Sequence, residues 1–171
     1  MLASHKLTKE QPMRPVSLKV VFLSFLLAFI FHLMPWSGLA LWLQPEFMLL
    51  VLIYWVLRAP YLCNVGVAWF VGLTIDLATG SLLGQHALVY AFTAFLAVSY
   101  QRRLTLFDVW QQAAFVLLLL IIERGLLFVL KIFNGGENPG WPYFAACISG
   151  LVLWLVMSFS RFGLHLQLRR A

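Results

Sequence analysis

The sequence predicts an all-α integral membrane protein with six transmembrane helices, and three observations carry that expectation. Of its 171 residues, 63% are hydrophobic and only 11% charged, whereas soluble domains run near a quarter charged. The apolar residues come in blocks: Val20–Pro45, Ala59–Ile75, Leu77–Gln101 and Asn138–Ser160 contain no Asp, Glu, Lys or Arg. Blocks of this length suit a hydrocarbon core of about 30 Å, which takes about 20 apolar residues per helix. An ordinary globular domain is excluded.

The elements follow in order. Residues 1–19 read as a basic tail, with Lys6, Lys9, Arg14, Lys19 and two prolines. Residues 20–160 form the six-helix membrane domain, and 161–171 a second basic tail. The first apolar run leads to no Ala-x-Ala-like cleavage site, so it is expected to stay as an anchor. That run, Val20–Met34, is closed by Pro35, which cannot continue a helix without losing a hydrogen bond. Trp36 and Trp42 suit the headgroup level, where indoles prefer to sit.

The second span admits two courses. Either a helix begins near Leu39 and kinks at Pro45, or Trp36–Gln44 lies along the outer surface and the helix starts at Pro45. The second course is favoured, since proline in the first turn loses nothing and Glu46 meets the positive end of the helix dipole. Arg58-Ala59-Pro60 is a minimal turn. The third span runs from about Tyr61 to Ala78 and the fourth from Leu82 to Tyr100, ending in Gln101-Arg102-Arg103. Asp108 is an N-cap candidate for a fifth helix, Val109–Phe133. The loop Asn134–Gly140 then leads to the sixth span, Trp141–Phe159.

Six spans place both termini on one side. With that side cytoplasmic, Lys6, Lys9, Arg14, Lys19, Arg58, Arg102, Arg103, Arg161, Arg169 and Arg170 all lie inside. Of the 12 Lys and Arg residues, that leaves only Lys131 near an outer end and Arg124 within a span, as the positive-inside rule requires. The net charge of +6 therefore sets topology, and no nucleic-acid partner is expected.

Chemistry-bearing residues are few. Asp76 lies in an apolar segment surrounded by Gly72, Gly80 and Gly84, and a carboxylate at membrane depth marks a site by default. Asn64, Ala68, Gly72, Asp76 and Gly80 recur every four residues and share one small, polar helix face. That face is either a groove for a ligand or partner helix, or ordinary packing within the bundle. Arg124 is expected at a similar depth in the fifth span, so Asp76–Arg124 is a candidate buried ion pair, structural in preference to a proton relay. Glu123 points about 100° away from Arg124 and should need another partner. Ser81 with His86 suggests a serine hydrolase, but no oxyanion setting accompanies them, and loop capping by Ser81 is the better reading. His32 and His165 are expected at the interface. Cys63 and Cys147 fall in apolar spans as packing residues, and no spacing fits a metal, a phosphate cradle or any cofactor.

Several short pieces together resemble the rod shape-determining MreD family. They are Pro45-Glu46-Phe47, Ile53-Tyr54-Trp55, Pro60, Asn64-Val65-Gly66, Gly72, Asp76-Leu77, Gly80-Ser81, Leu83-Gly84 and Trp110-Gln111-Gln112-Ala113. The likeness covers about residues 40 to 115, while the first span and the end of the chain agree only in hydropathy. The resemblance implies a non-enzymatic, multi-pass scaffold of the bacterial inner membrane, serving lateral peptidoglycan synthesis in rod-shaped cells. Its implied partners are MreC, the MreB filament, and RodA with its class B transpeptidase, directly or through MreC. It also implies a fold like the substrate-binding membrane subunits of energy-coupling-factor transporters, with an outward-facing cavity. Glu46, Asn64, Gly72, Asp76, Gly80 and Gly84 are then the partner or cavity candidates. Arg102, Arg103, Arg169 and Arg170 offer a cytoplasmic basic surface to the filament or to anionic lipid of the bilayer. The competing reading is a small-molecule-binding subunit of a transporter.

Overall fold

The computed structural model describes residues 17–38, 42–104, 107–135 and 140–168. Six α-helices occur among them: α1 Leu18–Leu33, α2 Phe47–Arg58, α3 Val65–Thr79, α4 Gln85–Leu104, α5 Val109–Phe133 and α6 Ala145–Leu168, the last entered through a 3-10 turn, Trp141–Phe144. Residues 1–16 of the first basic tail, and Arg169 and Arg170 of the second, lie outside the described residues.

Local chemistry sets the helix ends. Asn64 caps α3, its Oδ1 accepting from the Val67 N–H at 3.1 Å, so α3 starts later than the expected Tyr61. The intervening residues form a turn in which the Leu62 and Cys63 N–H groups donate to the Ala59 carbonyl. At the other end Gly80 adopts a left-handed φ of 65° and its N–H donates to the Asp76 carbonyl, a helix stop that favours glycine because no Cβ clashes there. Asp108 and Gln111 form a reciprocal capping box at the start of α5, satisfying two otherwise free backbone donors. Beyond Phe159, α6 continues to Leu168, past the start of the expected tail at residue 161. Arg, Leu and Gln are good helix formers, so the change in polarity there ends the hydrocarbon-compatible stretch and not the helix.

The second span follows the favoured course in one respect: its helix begins just after Pro45. Glu46 is the N-cap residue and its side chain makes no cap bond; the carboxylate is used elsewhere. At 12 residues, α2 is about 18 Å long, too short to cross a bilayer core of about 30 Å. It is instead the centre of the core. Met48, Leu49, Leu50, Leu52, Ile53, Trp55 and Val56 are all buried, and α2 packs against α1, α4 and α6. Non-helical backbone precedes it at Gln44–Glu46, which is tolerated at membrane depth only where protein or a cavity surrounds it.

Around this centre, α5 and the Pro142–Phe159 part of the last span are long and apolar enough to cross a membrane, and α1, α2 and α3 are shorter apolar helices. α1 buries only Val21 and Ala28 and meets the bundle through α2, where the Trp55 indole N–H donates to Ser24 Oγ at 2.8 Å. Its remaining surface of Phe22, Leu26, Ile30 and Phe31 is exposed, as a lipid-facing helix requires.

α3 packs chiefly on α4, and Gly72 is the point of closest approach. A Cβ there would lie 2.5 Å from both Ala87 Cα and the His86 carbonyl oxygen. At Gly72 the small-residue stripe serves helix packing, with backbone against backbone. Gly72→Ala is expected to cost about 1–3 kcal/mol, as overpacking does, read as a lower unfolding midpoint of the purified protein. An unchanged midpoint would show that α3 and α4 separate freely.

Candidate functional site

The polar residues of the bundle converge at one of its ends. The last turn of α1, the start of α2, the α3–α4 loop, the C-terminal half of α5 and the start of α6 all meet there. Between them lies a cavity of about 460 Å³ whose lining includes His32, Gln44, Glu46, His86, Arg124, Lys131 and Tyr143. Two carboxylates organise it, and each has its own set of partners.

Glu46 is buried at the start of α2. Arg124 Nη2 lies 2.7 Å from its Oε1, and the Tyr90 hydroxyl donates to its Oε2 at 3.1 Å. His32 Nδ1 stands 3.8 Å from the same oxygen. Arg124 also donates to the Gln44 carbonyl at 3.4 Å, and its guanidinium lies 4.8 Å from the centre of the Tyr143 ring. The Gln44 side chain in turn donates to the His32 carbonyl at 2.8 Å. One arginine thus ties the α1–α2 connection, the start of α2 and the 3-10 turn before α6 to α5. A guanidinium can do this because its planar fork of five donors serves several acceptors at once.

Asp76 is fully buried at the end of α3. Its Oδ1 accepts from Ser81 Oγ at 2.9 Å and from the His86 backbone N–H at 2.9 Å, and lies 2.7 Å from His86 Nδ1. Its Oδ2 accepts from the Gly84 N–H at 2.9 Å and from the Ala87 N–H at 3.3 Å. The carboxylate thereby fixes the α3–α4 turn and occupies N–H groups at the start of α4, where a negative charge meets the positive end of the helix dipole.

This geometry corrects the expected Asp76–Arg124 ion pair. The arginine goes to Glu46, and the aspartate closes its own loop. Equal depth along two helices brought the residues to the same end of the bundle without bringing them together, because α3 packs chiefly on α4 while Arg124 of α5 reaches the entry to α2. Glu123 is fully buried, and its nearest cation is the neighbouring Arg124, whose Nε lies 3.7 Å from its Oε2. The expectation that it needs a different partner is thus not met: the long arginine side chain reaches back. Neither Glu123 oxygen has a hydrogen bond among the described residues.

Of the other expected site residues, Glu46 lines the cavity and Asp76 lies directly behind its wall. Gly72 and Gly80 serve packing and helix termination, and Gly84 presents its N–H to Asp76. Asn64 caps the opposite end of α3, away from the cavity. Arg102 and Arg103 are exposed at that same far end. His32 lines the cavity, and the His165 side chain lies outside the described residues. Tyr90, Tyr143 and Gln85 carry no signal in the sequence beyond being polar groups in or beside apolar spans, and Lys131, expected only as a charge near an outer end, lines the cavity.

The Asp76–His86–Ser81 group has the composition of a catalytic triad but not its wiring. Ser81 Oγ lies 3.4 Å from His86 Nδ1, the same nitrogen that faces Asp76. A relay requires the aspartate on one ring nitrogen and the nucleophile on the other. Ser81 instead donates to the aspartate and caps the loop. Cys63 and Cys147 are buried and unpaired, and no metal-binding group of three or more His, Cys, Asp or Glu occurs among the described residues.

Comparison with known proteins agrees with the motif pattern. The family model for the rod shape-determining protein MreD matches residues 13–165. The rod shape-determining protein MreD of Haemophilus influenzae is 32% identical over 130 residues, which is 76% of this chain and 80% of that protein. No solved structure matches. A chain matched over nearly its whole length by one family model, built as a polar-ended bundle of apolar helices, belongs to the rod shape-determining protein MreD family: non-enzymatic membrane components of the cell-elongation machinery.

Proposed function

We propose that this chain is a multi-pass scaffold of the bacterial inner membrane that binds MreC and, directly or through it, RodA and its class B transpeptidase, with the MreB filament on the cytoplasmic side. The observation that carries this reading is that the buried carboxylates of Glu46 and Asp76 are spent on partners within the bundle. Glu46, Arg124 and Asp76 hold α2, α3, α4 and α5 in register, which is a structural use of ionisable groups. What the protein offers outward is helix faces and short loops. Both termini are cytoplasmic in this reading, which is supported by α1 ending and α6 beginning at the cavity end and by Arg58, Arg102 and Arg103 lying at the opposite end. The cavity end then faces outward.

The sequence alone suggested partner contact near Glu46 and Asp76. Both are buried, so the contact is assigned to the loop tip that Asp76 builds, where Leu82 and Leu83 are 58% and 69% exposed. A photocrosslinker at residue 82 or 83 is expected to capture the transmembrane or juxtamembrane segment of MreC, and one at 102 or 103 is not. Capture from the far end alone would reverse the assignment.

A second reading, a small-molecule-binding subunit with a fold like those of energy-coupling-factor transporters, is favoured by the cavity, whose volume is within the range of ligand sites. Mass spectrometry of the purified protein discriminates: a stoichiometric vitamin-sized compound supports it, and co-purifying wall-synthesis proteins support the scaffold.

A further inference from the structure

The charged residues of the cavity are unevenly satisfied. Both oxygens of Glu46 are engaged, one by Arg124 and one by Tyr90. Both oxygens of Asp76 behind the wall are engaged by Ser81, His86, Gly84 and Ala87. Glu123 does not line the cavity. What remains unused is donor capacity. Gln85 Nε2 is buried with no hydrogen-bond partner. Lys131 forms no ion pair among the described residues; its ammonium instead lies 4.9 Å from the centre of the Tyr143 ring. A lysine in the last turn of a helix complements the dipole wherever it points, but that does not account for its seat on the wall of a cavity that also holds a buried, unpartnered amide.

Depth adds a second constraint. α5 has 25 residues, about 37 Å of helix, so its ends pass beyond a hydrocarbon core of about 30 Å. Lys131 is in the final turn and therefore at headgroup level, whereas Arg124 is roughly two turns deeper. Beside Lys131, Ile132 and Phe133 are exposed and provide an apolar flank, while Trp42, Leu127 and Ala146 contribute apolar wall inside.

We propose that this cavity binds a phosphate-bearing anion, with Lys131 and Gln85 as its donors and a membrane lipid as the source. An anion restores the missing acceptors, and the tyrosine ring is exchanged for a charge-assisted hydrogen bond, the stronger partner for an ammonium. The acyl chains lie along the exposed end of α5.

The full chain in neutral detergent is titrated by native mass spectrometry with dioleoyl-phosphatidylglycerol and with dioleoylglycerol, which lacks the phosphate. Inorganic phosphate is tested separately by its effect on the unfolding midpoint. The wild type and Lys131→Arg should retain phosphatidylglycerol in preference to dioleoylglycerol, and Lys131→Gln should weaken that binding about tenfold, the scale of one charge-assisted hydrogen bond. Gln85→Ala, which keeps every charge, should weaken it less, and takes the place of Lys131→Gln if that variant is not monodisperse. Lys131-dependent protection by inorganic phosphate without lipid preference would keep the anion site and make its source soluble. Equal binding of the two lipids together with no phosphate effect, or binding indifferent to both substitutions, overturns the proposal.

Discussion

Arg124→Met is expected to destabilise the protein by about 3–5 kcal/mol, the scale of removing one partner from a buried ion pair. Methionine fills much the same volume but leaves Glu46 with a buried charge and only the Tyr90 hydroxyl and His32 beside it. The Gln44 carbonyl also loses its donor, so the chain entering α2 comes loose from α5. Because α2 carries the centre of the core, the effect should reach the whole bundle. The measurement is the unfolding midpoint in detergent, with restoration of rod shape in cells lacking their own copy as the cellular readout. Glu46→Gln combined with Arg124→Met should be less damaging than the sum of the two single changes, because the second removes the charge the first left unpaired. Strict additivity would mean that the 2.7 Å contact holds nothing together.

Asp76→Ala is expected to cost about 2–4 kcal/mol by a different route. It leaves the Ser81 hydroxyl and the Gly84, His86 and Ala87 N–H groups without their acceptor, and each buried donor left unpaired costs about 1–3 kcal/mol, less where water reaches it. Asp76→Asn keeps one acceptor oxygen and should lose less. Exchanging the charges of Asp76 and Arg124 should rescue neither single change, since the two residues anchor separate sets of partners. Recovery of expression in that exchange would reinstate the direct pair. Loss of partner capture at residues 82 and 83 in Asp76→Ala, with a folded bundle, would tie the loop anchor to the proposed scaffold role.

Much of this molecule is legible from composition and local chemistry alone. Long charge-free blocks fix the helices, because a backbone in hydrocarbon must satisfy its own hydrogen bonds. The bounds of α5 follow from Asp108 with Gln111 at one end and Asn134-Gly135 at the other. Gly80 ends α3 because a left-handed residue is needed there. That Asp76 and Glu46 matter also follows from one-dimensional facts, since neither carboxylate could sit in an apolar segment without partners.

Which partners they take is another matter. His86 reaches Asp76 only because Gly72 lets α4 lie against α3 at backbone distance, and Arg124 reaches Glu46 across 78 positions of sequence only because α2 is short and central. Lys131 became a cavity residue through the packing of α5 and α6 around Tyr143. The sequence by itself determined that these are membrane helices and which polar residues must be sheltered among them. Only the tertiary structure decided the pairing, because depth along a helix restricts one coordinate of a side chain while helix order and rotation set the other two.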